Sequence, residues 1–259
     1  MRGELDEATL LEIAAKVPDF RGMFNIRQWS PKMTSAVLMF SGNADSPLPL
    51  AGLCLNDTLD AITEARCALH EAFAHLIWYR ERSPSKPNEL AAVFFGRFYA
   101  TVVASCLYAS GERLADAIIA MLAIDPWELS KSGGSRQVKV AQYLAAEKPG
   151  DLITSGVQSL GTSDVWKKSM DLRNRWVHEQ PPLVAGGGMQ FRRRQQWIHR
   201  LADNGEITQV ITFGGGDEPE YSIDELIDVV GEALKRFMSL FETVIRLFEE
   251  ELLQTRPGG

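Results

Sequence analysis

Between Asp171 and Gln180 the chain reads Asp-Leu-Arg-Asn-Arg-Trp-Val-His-Glu-Gln, so the hexapeptide Arg173 to His178 holds two arginines, an asparagine and a histidine. These side chains can handle a phosphodiester. Arginine offers phosphate oxygens a planar, permanently charged fork, and histidine takes and gives protons near neutral pH. Asn174 stands four residues before His178 and shares its face if the segment is helical. Arg173 stands five before it, and needs its long side chain or a loosened helix end to converge. The same residues have a second reading, because Arg and His in the last turn of a helix also answer its macrodipole and cap its free carbonyls.

A helix must position this hexapeptide. Ser163-Asp164 is the cap, Val165, Trp166, Met170, Leu172, Trp176 and Val177 are the apolar positions, and Pro181 disfavours a helical Gln180. His178 therefore falls in the last turn or just past it. The four histidines give few alternatives. His70 and His75 are five apart, about 140° round an ideal helix, where a zinc-protease helix needs a spacing of four. Both are read as satisfied histidines of a bundle helix, and His199 has no partner in the sequence. Lys131-Ser132-Gly133-Gly134-Ser135 lacks the Gly-Lys-Ser/Thr ending of a phosphate loop. Cys54, Cys67 and Cys106 fit neither a disulfide framework nor a zinc site and are read as small buried hydrophobes. No metal or cofactor is expected, and no residue signals a small-molecule pocket in the bundle.

Helical periodicity dominates the rest. Glu4 to Val17 forms a short amphipathic helix ended by Pro18, and the region to residue 55, with a short apolar run Ala36 to Phe40, makes an N-terminal extension. Asn56-Asp57 caps a long helix running to Arg82. A second extends from Glu89 to about Ile124, apolar almost all round and so central to a bundle, with Gly111 as a point of bend or break. Arg136 to Lys148 adds a shorter one. Alternation from Gln190 to Ile198, the Asn204-Gly205 turn and the run Glu206 to Phe213 predict a β-hairpin near residues 189–213. In the last helix Ser222 and Glu225 form a capping box, with Leu226, Ile227, Val230, Leu234, Phe237, Phe241, Val244 and Phe248 along one stripe. The expected fold is all-α: a four-helix up-and-down bundle over residues 56–259, with the extension 1–55 packed on it and the hairpin inserted before the last helix.

With 259 residues, 45% apolar and 24% charged, the composition is that of a chain that folds on its own. An acidic start without an apolar core region argues against a secretory signal. Phe98 to Ser110, thirteen uncharged residues broken by Thr101, Ser105 and Ser110, is too short to cross a bilayer. A cytoplasmic protein with no membrane partner is expected. Net charge is −7, which disfavours a general nucleic-acid coat. Residues 131–200 nevertheless hold twelve of the 27 basic and five of the 34 acidic side chains, a local +7 that leaves −14 elsewhere. That asymmetry suits a local anionic ligand, or else simply a soluble surface.

Arg173-Asn174-Arg175-Trp176-Val177-His178 reads R-N-x-x-x-H and resembles the R-x4-6-H motif of the HEPN superfamily (higher eukaryotes and prokaryotes nucleotide-binding), whose members are helical bundles. The resemblance implies a metal-independent endoribonuclease cutting single-stranded RNA, of the kind found in toxins and defence systems. Arg173 and His178 match the catalytic pair, and Asn174 the polar position after the arginine. It further implies a homodimer whose two motifs meet in one cleft, and an antitoxin or regulatory protein as partner. Lys167, Lys168 and Arg175 on the same helix, with Arg192 and Arg194 on the hairpin, are candidate contacts to RNA phosphates. Trp166, Trp176 and Trp197 stack bases or pack in the core. The other reading is a non-catalytic helical module that binds RNA, a nucleotide or a protein and keeps the motif as a cap or ligand pocket.

Overall fold

In a computed structural model of the chain, residues 5–18, 46–82, 86–188, 197–201, 207–211 and 218–254 are described. They are helical almost throughout, an all-α fold. The helices are α1 (Glu7–Lys16), α2 (Leu48–Ile77), α3 (Glu89–Met121), α4 (Pro126–Ser130), α5 (Arg136–Glu147), α6 (Leu152–Thr162), α7 (Asp164–His178) and α8 (Ile223–Gln254). Two short strands, β1 (Trp197–Leu201) and β2 (Ile207–Ile211), pair antiparallel with Trp197 opposite Ile211. The connection between them, the run Ala36 to Phe40, and Arg192 and Arg194 lie outside the described residues.

α3 is the centre. Ala92, Val93, Ala100, Val103, Ala104, Leu107, Leu114 and Ile118 are all buried, and α2, α5, α7 and α8 pack around it. By length and apolarity this 33-residue helix has the composition of a membrane span, which its thirteen uncharged residues alone do not reveal. The polar interruptions are absorbed locally: the hydroxyls of Thr101, Ser105 and Ser110 donate to the carbonyls of Arg97, Thr101 and Cys106 at 2.9, 2.9 and 2.8 Å. Gly111 does not break the helix. A Cβ there would meet the tip of the flexible Gln137 side chain on α5, and a Cβ on Gly96 would come within 2.8 Å of Ile223 on α8.

Capping follows the sequence closely. Asp6 accepts from the Thr9 amide at 2.8 Å, Asn88 from Ala91 at 3.0 Å and Asp125 from Trp127 at 2.8 Å. Ser222 and Glu225 exchange amide hydrogen bonds of 2.7 and 3.2 Å at the start of α8. Ser163 holds the N-cap position of α7 without a side-chain hydrogen bond, as do Ser135 and Asp151 for α5 and α6, and α2 departs further. It begins at Leu48 behind Pro47, a first-turn position that costs a helix little. Asn56 and Asp57 lie mid-helix with no cap to make, and a division at residue 55 falls inside an element.

α2 then runs into a π-helical turn, Trp78–Arg82. There Arg80 bridges Glu89 (2.6 and 2.9 Å) and Asp224 (2.9 and 3.0 Å), first-turn acids of α3 and α8. α6 turns directly into α7 through Ser163 alone, a corner that hydrophobic spacing does not single out.

Cys54 and Cys106 are half-buried, with burial pushing the Cys106 thiol up to about 11, whereas Cys67 is exposed rather than buried. His75 is also not the satisfied histidine expected. It is buried against Phe95 (ring centroids 4.4 Å apart) and Tyr99 (5.1 Å), and its Nδ1 has no hydrogen-bond partner. Burial lowers its pKa, partly opposed by Glu71. The fold thus favours neutral His75, while an unfolded histidine takes a proton at about pH 6.5. Stability is unaffected by this group above that pH, and falls as pH drops from about 6.5 toward the folded-state value. Urea denaturation at pH 7.5 and 5.0 is expected to show a smaller acid-induced loss in His75→Phe than in the parent chain.

Candidate functional site

α7 is amphipathic with its faces sharply divided. Trp166, Ser169 and Leu172 are buried, and the Trp166 indole stacks on Phe237 of α8 at 5.6 Å, so this tryptophan is a core residue. At 100° per residue, Lys167, Asp171, Asn174 and His178 fall within about 60° of one another on the outer side. All four are exposed. His178 is the last helical residue, as Pro181 predicts.

Arg173 points elsewhere. Its guanidinium lies over the ring of Tyr108 on α3, Cζ 4.1 Å from the centroid, and Nη1 donates to Asn174 Oδ1 at 3.0 Å. Stacking holds the fork in place and leaves its edge open. No acidic side chain pairs with Arg173 or Lys167 among the described residues. Arg173 and Asn174 are therefore brought together, with Tyr108 as a partner from a helix sixty-five residues earlier that no local motif marks. His178 shares the Asn174 face but diverges from Arg173 by about 140° within one chain.

Arg175 is corrected from a phosphate contact to a structural residue. It sits at the edge of the exposed stripe, about 40° round the helix from Asp171, and is half-buried. Its Nη1 and Nη2 donate to both oxygens of Glu220 at 2.7 and 2.9 Å, and Nε reaches the Gln180 carbonyl at 3.3 Å. The Glu220 carboxylate raises its pKa. Glu220 Oε1 also accepts from the Leu183 amide at 3.2 Å, and the Ala185 amide donates to the Tyr221 carbonyl at 2.9 Å. This network ties the end of α7 to the entry of α8, where a bidentate charged pair is stronger than a surface one. Lys167 and Lys168 are both exposed, and Lys168 is near enough to Glu225 to add to the lowering of its pKa by the Ser222 hydrogen bonds.

An apolar face adjoins the motif. Leu90, Phe94 and Phe98, one turn apart on α3, are 58%, 56% and 43% exposed, and Trp176 and Val177 on α7 are 38% and 51% exposed. Phe98 and Trp176 line one shallow cleft. Between the two helices lies Arg97, with Cζ 5.9 Å from the Trp176 ring and a buried Nε that has no hydrogen-bond partner. Burial lowers its pKa. Among the described residues no three His, Cys, Asp or Glu side chains are grouped to hold a metal ion.

Comparison with protein families, with curated proteins and with solved structures gives no significant match to this chain. The chemistry is therefore read from the residues themselves. Two substitutions separate structural from exposed roles within the motif. Glu220→Ala, which strips Arg175 of its half-buried bidentate partner, is expected to cost about 1–3 kcal/mol in chemical denaturation. His178→Ala, at an exposed helix end, is expected to change stability by no more than about 0.5 kcal/mol.

Proposed function

We propose that the chain is a metal-independent endoribonuclease of HEPN type acting on single-stranded RNA, with Arg173, Asn174 and His178 as its site residues. The observation that supports this most is the pairing of an acid-free, stacked guanidinium with Asn174, on the helix that presents an exposed imidazole in its last turn. In this reading α2, α3, α7 and α8 form the four-helix bundle, and β1 and β2 the inserted hairpin. The RNA 2′-hydroxyl attacks the adjacent phosphorus as the bond to the 5′-oxygen breaks, leaving a 2′,3′-cyclic phosphate and a 5′-hydroxyl, with one proton passing from O2′ to O5′. His178 moves the proton, and Arg173 stabilises the charge that builds on the phosphoryl oxygens. Lys167 and Lys168 hold flanking phosphates, with Arg192 and Arg194 as further candidates.

The divergence of Arg173 and His178 along one helix favours two chains meeting, so that the arginine of one acts beside the histidine of the other. The exposed run Leu90, Phe94 and Phe98, together with Trp176 and Val177, is the face proposed for that homodimer. A toxin or defence role, with a regulatory protein partner and a cytoplasmic location, belongs to the same proposal. The second reading, a non-catalytic binding module, draws on the same Tyr108 stack, which also describes an arginine held in place for binding alone.

Incubation of labelled single-stranded RNA with purified protein decides between them. Cleavage that persists in EDTA, leaves 2′,3′-cyclic phosphate ends and falls about a hundredfold or more in a folded His178→Ala variant is the expected result. Matched DNA, which lacks the attacking hydroxyl, is expected to remain intact. No cleavage of several RNAs by folded protein, or equal cleavage by the variant, overturns the nuclease reading.

A further inference from the structure

A cavity of about 470 Å3 opens between α3, α5, α6, α7 and α8, within the size range of small-molecule sites, roughly 300–1,000 Å3. Its walls are apolar, including Leu114, Ile118, Val140, Leu160 and Phe237. Such a space departs from the close packing of protein interiors. Gly161 lines its exposed edge, where a Cβ would meet no atom within 4 Å, so a larger side chain has room there.

Polar groups enter where the outer stripe of α7 borders the cavity: Lys167, Asp171 and Asn174, with Tyr108 facing them from α3. Charge at this border is unevenly answered. Lys167 has no acidic partner among the described residues, and Arg173, stacked on the lining Tyr108, has none either. Asp171 is the acidic side chain in this lining, with Arg175 Nη1 at 3.9 Å while that guanidinium makes its short contacts to Glu220, so two cations face one carboxylate here. With Asn174 Oδ1 engaged by Arg173, the Asn174 amide nitrogen is left to donate. The border therefore suits a group that accepts hydrogen bonds and carries negative charge.

We propose that this cavity binds a small amphipathic organic anion, its apolar body among Leu114, Ile118, Leu160 and Phe237 and its charged group at Lys167 and Asn174. The site shares Lys167 and Asn174 with the proposed RNA-contacting surface, whereas Arg173 and His178 are not part of its lining. Binding is read without RNA.

Decanoate titrated into the full chain, followed by calorimetry and by the fluorescence of the lining Trp166, tests the proposal. One saturable site per chain is expected, with decyltrimethylammonium binding at least tenfold more weakly. Lys167→Glu, on the exposed stripe, is expected to weaken decanoate at least tenfold. Gly161→Leu and Ala141→Phe fill the cavity from two sides and are each expected to abolish the signal, with Gly161→Leu melting no lower than the parent. An absence of saturable binding, a cationic amphiphile that binds equally well, or full binding in folded Lys167→Glu or folded plugged variants overturns it. Undiminished binding in the plugged chains assigns decanoate to the exposed Phe94 and Phe98 face instead.

Discussion

Burial of α3 is the constraint on which the remaining structure depends. Apolar side chains run nearly all the way round Glu89–Met121, so no single partner can cover it, and helices from both sides of it in the sequence are drawn in. Fully burying a Leu, Val or Ile side chain contributes about 1.5–3 kcal/mol, and α3 buries several. Small residues set how closely neighbours approach: Ala61, Ala65, Ala68 and Ala72 on α2 are buried, as are Ala92, Ala100 and Ala104 on α3, and α2 and α3 make the most extensive helix pair. Gly96 does the same for α8. Arg80 then fastens the end of α2 to the starts of α3 and α8.

α7 takes its place against this centre and, in doing so, sorts its own side chains. Trp166 and Leu172 turn inward, Arg175 turns to Glu220, and Arg173 comes to rest on Tyr108. What remains outside is the stripe Lys167, Asp171, Asn174 and His178. The basic middle of the chain contracts accordingly. Lys131, Arg136 and Arg175 answer Glu128, Asp116 and Glu220, so among the described residues the lysines and arginines of α7 that remain without a salt bridge are Lys167, Lys168 and Arg173. A local excess of positive charge thus becomes a few specific positions rather than a coat.

The same helix borders two different environments. On one edge its Trp176 adjoins Phe98 of the exposed apolar run of α3, and on another its polar stripe borders the open cavity. Asn174 touches both themes, accepting from Arg173 while lining the cavity. One short helix can serve in this way because successive residues are separated by 100°, so adjacent sequence positions look into unlike surroundings.

Helical class, the capping box at Ser222 and the placement of His178 at a helix end were determined by the sequence itself, because hydrogen bonds and hydrophobic periodicity over three or four residues decide them. The start of α2 was obscured by Asn56 and Asp57, whose side chains look like caps wherever they fall, while Leu48, Ala51 and Leu55 continue the buried face beneath them. Within the motif, Arg173, Asn174, Arg175 and His178 read alike as polar groups near a helix terminus. Only the tertiary structure assigned Arg175 to Glu220, forty-five residues later, and Arg173 to Tyr108, sixty-five residues earlier. The orphaned Nδ1 of His75 and the cavity beside Lys167 are likewise products of helices distant in the chain, since burial, unmet hydrogen bonds and empty volume are properties of what packs around a residue and have no local signature.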